Sequence, residues 1–193
     1  MALLGLGVLT YVLSRQLTSL FQRVAPAGAL TVNELLKPGE VAPVLSVDLL
    51  GGGSRRIGQG VAGRCCLLFF LTPDCPICRS LLPAVRSIAN AEPGLDGVLA
   101  SDGGELAEHE AFVRSEGLQK FEYVISETLG RAYGISKLPY AVLIDEQGRI
   151  AAMGIVNSRE HLESLLEAKE RQVGSIQDFL ESTGQADFHE ASR

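Results

Sequence analysis

Tryptophan is absent, and aromatic residues make up only 6% of the 193-residue chain. With so few rings to stack on bases, and with no block of consecutive lysines and arginines, nucleic acid is not an expected partner. Positive charge is in deficit as well: 17 Lys and Arg stand against 23 Asp and Glu, giving a net charge of −6. Cysteine is scarce. The four cysteines fall as one spaced pair, Cys75 and Cys78, and one adjacent pair, Cys65-Cys66, too few for a fold held by a disulfide scaffold. A structural zinc site would need two further ligands at similar spacing. Here the remaining cysteines are adjacent and His109, His161 and His189 are scattered, so no metal and no cofactor is expected. The histidines read as surface residues of helices or tail. Apolar residues reach 46% and charged ones only 21%, enough hydrophobic material to bury a core.

The chain also lacks a full-length apolar span. Met1 to Ser14 carries no charged side chain and Ala2 to Leu13 is almost wholly apolar, short of the roughly 20 residues that cross a bilayer as a helix. The apolar pattern continues through Leu17, Leu20, Phe21 and Val24 on one stripe, while Arg15, Gln16, Gln22 and Arg23 fall elsewhere. Residues 1–24 are therefore expected to form a membrane-anchor helix, inserted at its start and interfacial at its end. No positive segment precedes the run, which argues against a cleaved signal peptide. Residues 25–40 read as a linker, 41–172 as the folded domain and 173–193 as a tail.

What is present centres on Thr72-Pro73-Asp74-Cys75-Pro76-Ile77-Cys78-Arg79. The run Cys66–Leu71 before it is continuously apolar, as in a strand buried on both faces. After it, Ile77, Leu81, Leu82, Val85, Ile88 and Ala89 recur at helical spacing. A cysteine at a helix N-terminus meets unpaired N–H groups and the positive end of the helix dipole, and both favour the reactive thiolate. A second cysteine one turn on can close a disulfide with it. Pro76 suits the first helical position, where its missing donor costs nothing. Asp74 opposes thiolate formation and Arg79 favours it. Cys65 and Cys66 open a strand, so they point to opposite faces and read as buried free thiols.

Elsewhere the pattern predicts an edge hairpin over 43–57 and a short strand at Val98–Ala100. A helix over Glu105–Glu116 precedes a strand at Tyr123–Ile125 and a short helix capped by Ser126. The last part is a hairpin, Tyr140–Ile144 and Ile150–Val156, turning at Asp145-Glu146-Gln147-Gly148, then a helix from Ser158. The order implies an α/β fold, a mixed central sheet with helices on both faces.

The CxxC between strand and helix, Pro83 five residues past Cys78, and Lys137-Leu138-Pro139 directly before a strand together resemble the thioredoxin-like superfamily, its redoxin branch in particular. A narrower resemblance runs over nearly the whole chain. Arg23–Leu30, Leu99–Gly103, Lys137–Val142 and His161–Leu165 are similar to the methylamine dehydrogenase accessory proteins of the MauD family. That resemblance implies a thioredoxin-like domain on the periplasmic side of a single N-terminal anchor. It implies a role in maturing the disulfide-rich small subunit of a quinoprotein amine dehydrogenase, with a redox partner still to be identified. Cys75 would be the attacking thiolate and Cys78 the resolving thiol. Pro139 would be cis and face the motif, and Leu138-Pro139, with Pro76, would hold the client chain beside Cys75 in extended form. Two other classes stay open. One is a thiol peroxidase, for which Thr72–Cys75 fits half of the peroxiredoxin motif but Leu68 stands where a proline would. The other is a non-enzymatic assembly chaperone or metal carrier using the same sulfurs.

Overall fold

In the computed structural model, which describes residues 36–170, the apolar run Cys65–Phe70 forms strand β3 at the middle of a five-stranded sheet. Before it, β1 (Leu45–Asp48) and β2 (Ser54–Ile57) make a separate antiparallel hairpin. After it come α1 (Pro76–Ala91), β4 (Leu95–Ser101), α2 (Leu106–Ser115) and β5 (Glu122–Ile125). The chain continues through α3 (Glu127–Ala132), β6 (Tyr140–Ile144), β7 (Ile150–Ile155) and α4 (Arg159–Glu170). The sheet order is β5-β4-β3-β6-β7. β3, β4 and β5 run parallel, β6 runs antiparallel to β3, and β7 antiparallel to β6. This is the mixed, helix-flanked sheet of the thioredoxin-like fold.

Strand alternation sorts the core into two layers. Leu67, Phe69 and Leu71 pack with Leu81, Leu82, Val85 and Ile88 of α1, Phe112 of α2, and Leu162 and Leu165 of α4. Leu68 and Phe70 pack on the other face with Val47, Ile57, Leu129 of α3 and Tyr133 just after it. Three helices thus cover one face, while the short α3 and the β1–β2 hairpin cover the other.

The largest departure from the expected elements is β4, which begins at Leu95 rather than Val98. Asp96 and Gly97 hide the strand from an apolar pattern. Their register is nevertheless continuous with β3, Cys66 opposite Asp96 and Leu67 opposite Gly97. Glycine stands at 97 because a Cβ there would lie 2.8 Å from the Phe121 ring. Gly39 and Glu40, at the end of the expected linker, already bond the domain. The Gly39 N–H donates to the Ile150 carbonyl at 2.7 Å, and the Ile150 N–H donates to the Glu40 carbonyl at 2.9 Å. The expected anchor helix, most of the linker and the tail lie outside the described residues. Among the described residues no helix is long and apolar enough to cross a membrane.

Candidate active site

β3 delivers the chain to the C-terminal edge of the sheet. There the Leu71 N–H still bonds the Ala100 carbonyl at 2.9 Å. A tight turn follows, with the Cys75 N–H donating to the Thr72 carbonyl at 3.1 Å. Cys75 is the N-cap of α1 and Pro76 occupies the first turn. The Cys75 Sγ accepts the Cys78 N–H at 3.1 Å, the place a serine or aspartate oxygen takes in an ordinary cap. Negative charge on this sulfur would therefore meet an N–H donor and the positive helix end. The two cysteines are joined as a disulfide, their Cα atoms 5.2 Å apart. Cys75 is half-buried and Cys78 wholly buried, so an incoming sulfur can reach only the first. Beside them Pro76 is exposed, and Ile77 is 48% exposed.

The second loop arrives through β6. Tyr140 pairs with Phe70, the last residue of β3, so Pro139 and the CxxC leave the same end of adjacent strands. The Leu138–Pro139 bond is cis. Pro139 is buried, and its carbonyl accepts the Val156 N–H at 3.1 Å. Leu138 is half-buried, and among the described residues neither its N–H nor its C=O has a hydrogen-bond partner. It borders a cleft of about 360 Å³ whose walls include Leu71, Asp102, Arg131, Ser136 and Lys137.

Arg79 reaches back to the loop that carries Cys75. Its Nε donates to the Pro73 carbonyl at 2.8 Å, its Nη1 lies 4.0 Å from a Glu116 oxygen, and its guanidinium sits 5.4 Å from the centre of the Phe112 ring. These partners make it a brace for the loop ahead of Cys75. His109 corrects the expectation of a surface histidine, for it is fully buried. Its Nδ1 lies 2.8 Å from the Tyr123 hydroxyl and its Nε2 2.7 Å from the Gly103 carbonyl. A carbonyl can only accept, so in the neutral ring Nε2 carries the proton and Nδ1 accepts from Tyr123. The ring thereby fixes the 101–104 loop, at the same sheet edge as the CxxC. The alternating polar and apolar residues of α2 conceal this role, because histidine suits either side of such a helix. His161 is exposed, as expected, and His189 lies outside the described residues.

Cys65 and Cys66 sit at the opposite end of β3. Both are free; Cys65 is buried and Cys66 half-buried, on opposite faces. Burial pushes the Cys66 thiol up to about 12, which keeps it protonated and inert. Among the described residues no three His, Cys, Asp or Glu side chains gather as a metal site would.

A family model of the thioredoxin-like domain matches residues 60–170. The chain is 42% identical over 180 residues to the methylamine utilization protein MauD of Methylobacillus flagellatus, covering 93% of this chain and 87% of that protein. It is 41% identical over 183 residues to the MauD of Paracoccus denitrificans, covering 94% and 90%. Among solved structures, the thioredoxin domain of a thiol-disulfide oxidoreductase from Bacteroides vulgatus superposes with a TM-score of 0.58 at 20% identity, covering 67% of this chain and 97% of that one.

Proposed function

The chain belongs to the MauD family of thioredoxin-like proteins, and on that premise we propose that it is a thiol–disulfide oxidoreductase serving methylamine utilization. The observation that carries the reading is the pairing of a reachable N-cap sulfur, Cys75, with a buried one, Cys78, one helical turn behind it. In the reduced protein the Cys75 thiolate attacks a client disulfide. A Cys75–client bond forms and one client thiolate leaves. The Cys78 thiolate then attacks the Cys75 sulfur, releases the second client thiolate and restores the Cys75–Cys78 disulfide. Two electrons pass to the client; run backwards, the same steps oxidise a client dithiol.

The client of this reading is the cysteine-rich small subunit of an amine dehydrogenase, met on the periplasmic side of the membrane. The apolar segment 1–24 supplies the anchor. Leu138, whose backbone groups have no partner among the described residues, offers an edge for an extended client segment. Exposed Pro76 and Ile77 give it apolar surface.

A Cys78→Ser variant tests this. It should accumulate a mixed disulfide between Cys75 and the small subunit, visible on non-reducing gels and absent from Cys75→Ala. Maturation of the amine dehydrogenase that proceeds normally with Cys75→Ala would sink the reading.

A further inference from the structure

At the end of the sheet away from the CxxC, a second nucleophilic pair stands apart from the proposed chemistry. Cys65 opens β3 with its side chain in the α1/α4 layer, 7% exposed. Lys169, in the last turn of α4, reaches 104 positions back along the chain and places its Nζ 2.7 Å from the Cys65 Sγ. The same nitrogen lies 2.7 Å from a Glu146 carboxylate oxygen in the β6–β7 turn.

Burial pushes the Cys65 thiol up, while the Lys169 ammonium beside it works the other way and favours the thiolate that attacks peroxide. A neutral thiol is a weak acceptor. An ordinary hydrogen bond is therefore a poor return for holding a lysine head group on it. The spacing suits something else. Nitrogen and sulfur are too far apart for a direct bond and placed as two atoms bonded to one shared neighbour would be. Glu146 keeps the nitrogen there, and the Lys169 and Glu146 side chains are 29% and 31% exposed, so protons can leave to solvent. Lys169 and Glu146 also line a cleft of about 660 Å³ together with Gln147 and Ala168. That is ample for a peroxide molecule little larger than water, whose share of liquid volume is about 30 Å³.

We propose that Cys65 and Lys169 form a reversible N–O–S cross-link when the protein meets hydrogen peroxide, a covalent tie between β3 and α4 independent of the CxxC. One peroxide converts the Cys65 thiol to a sulfenic acid and releases water. A second oxidises the Lys169 amine against that oxygen, forming the N–O bond and releasing two waters. Sulfur gives up two electrons and nitrogen two, the two peroxides accept all four, and one oxygen remains as the bridge. The extra proton of the ammonium passes to solvent. Two equivalents of a dithiol return the four electrons, restoring thiol and amine and releasing the bridging oxygen as water.

Peptide mass mapping of the full-length protein, kept in detergent and treated with hydrogen peroxide, tests this. The expected product is a peptide joining the Cys65 and Lys169 segments. Its mass is the sum of the two plus one oxygen and minus two hydrogens. It should vanish on dithiothreitol treatment and be absent from Lys169→Arg, which keeps the charge beside Glu146 but cannot make the bond. The same peptide should persist in Cys66→Ser. Any of three results would overturn the proposal: Cys65 unmodified or oxidised without a cross-link, a cross-link lacking the oxygen, or one that survives Lys169→Arg.

Discussion

Single side chains around the CxxC carry more of the site's geometry than the two sulfurs do. Arg79 holds the Pro73 carbonyl, and its guanidinium covers Phe112, whose ring meets Tyr123 edge-on at 6.4 Å. Tyr123 in turn bonds His109, which holds the Gly103 carbonyl. Burial pushes the Tyr123 hydroxyl well above its ordinary range, so it stays a donor. Replacing His109 by alanine strands the buried Tyr123 hydroxyl, while the exposed Gly103 carbonyl can turn to water, and should cost about 1–3 kcal/mol, measured by urea unfolding. Arg79→Ala loses a bond from a half-exposed cation and should cost only about 1 kcal/mol. Its distinct signature should be faster proteolysis within the 72–75 loop. The CxxC and its flanking prolines are legible because their meaning is local. The roles of Arg79 and His109 are not, since each depends on a carbonyl or ring supplied by another element.

Among the elements, α4 is tied to the sheet by apolar packing through Leu162 and Leu165 and by the Lys169–Glu146 pair. The hydrogen bond from Lys169 holds the Glu146 carboxyl at about 2, below its ordinary 4.5. The carboxylate is favoured by folding, so this contribution is fully present above pH 4.5 and is lost as pH falls through about 2. Partial exposure screens it. Glu146→Gln should therefore show a shallower loss of stability between pH 4.5 and 2 than the parent, read as urea midpoints across that window. Asp96 behaves alike. Bonds from Arg64 and Arg55 lower its carboxyl, joining β2 and β4 at the end of the sheet away from the CxxC. Element order was largely legible because each helix and strand carries its own period. The β4 start was not, because Gly97 is chosen by the Phe121 ring and not by the strand.

At the scale of the molecule, a tight contact at Gly58 helps seat the hairpin layer against the end of α3. Gly58, at a φ of +87°, lies where any Cβ would stand 2.1 Å from the Pro43 carbonyl oxygen and 2.9 Å from the Tyr133 hydroxyl. That hydroxyl donates to the same carbonyl at 2.9 Å. Gly58→Ala adds backbone strain and a clash, and should cost on the order of 3 kcal/mol. Tyr133→Phe keeps the packing and drops one hydrogen bond, about 1 kcal/mol. Thermal unfolding of the two variants should rank them in that order. A Gly58→Ala protein as stable as the parent would mean the 43–58 layer is not docked as described.

The CxxC pair and its helix-end setting follow from residues close together in sequence, and the fold class and family from short motifs spread along it, each legible because spacing and periodicity express local physics. Distances across the fold were decided only by tertiary structure. Packing of β3 between two layers turned Cys65 toward Lys169 and Cys66 away from it. The meeting of α2 with β5 buried His109, and the seat of Phe112 under α1 set where the Arg79 charge goes. Such contacts depend on the register of strands and the docking of helices, which the burial of the whole core selects and no short stretch of sequence specifies.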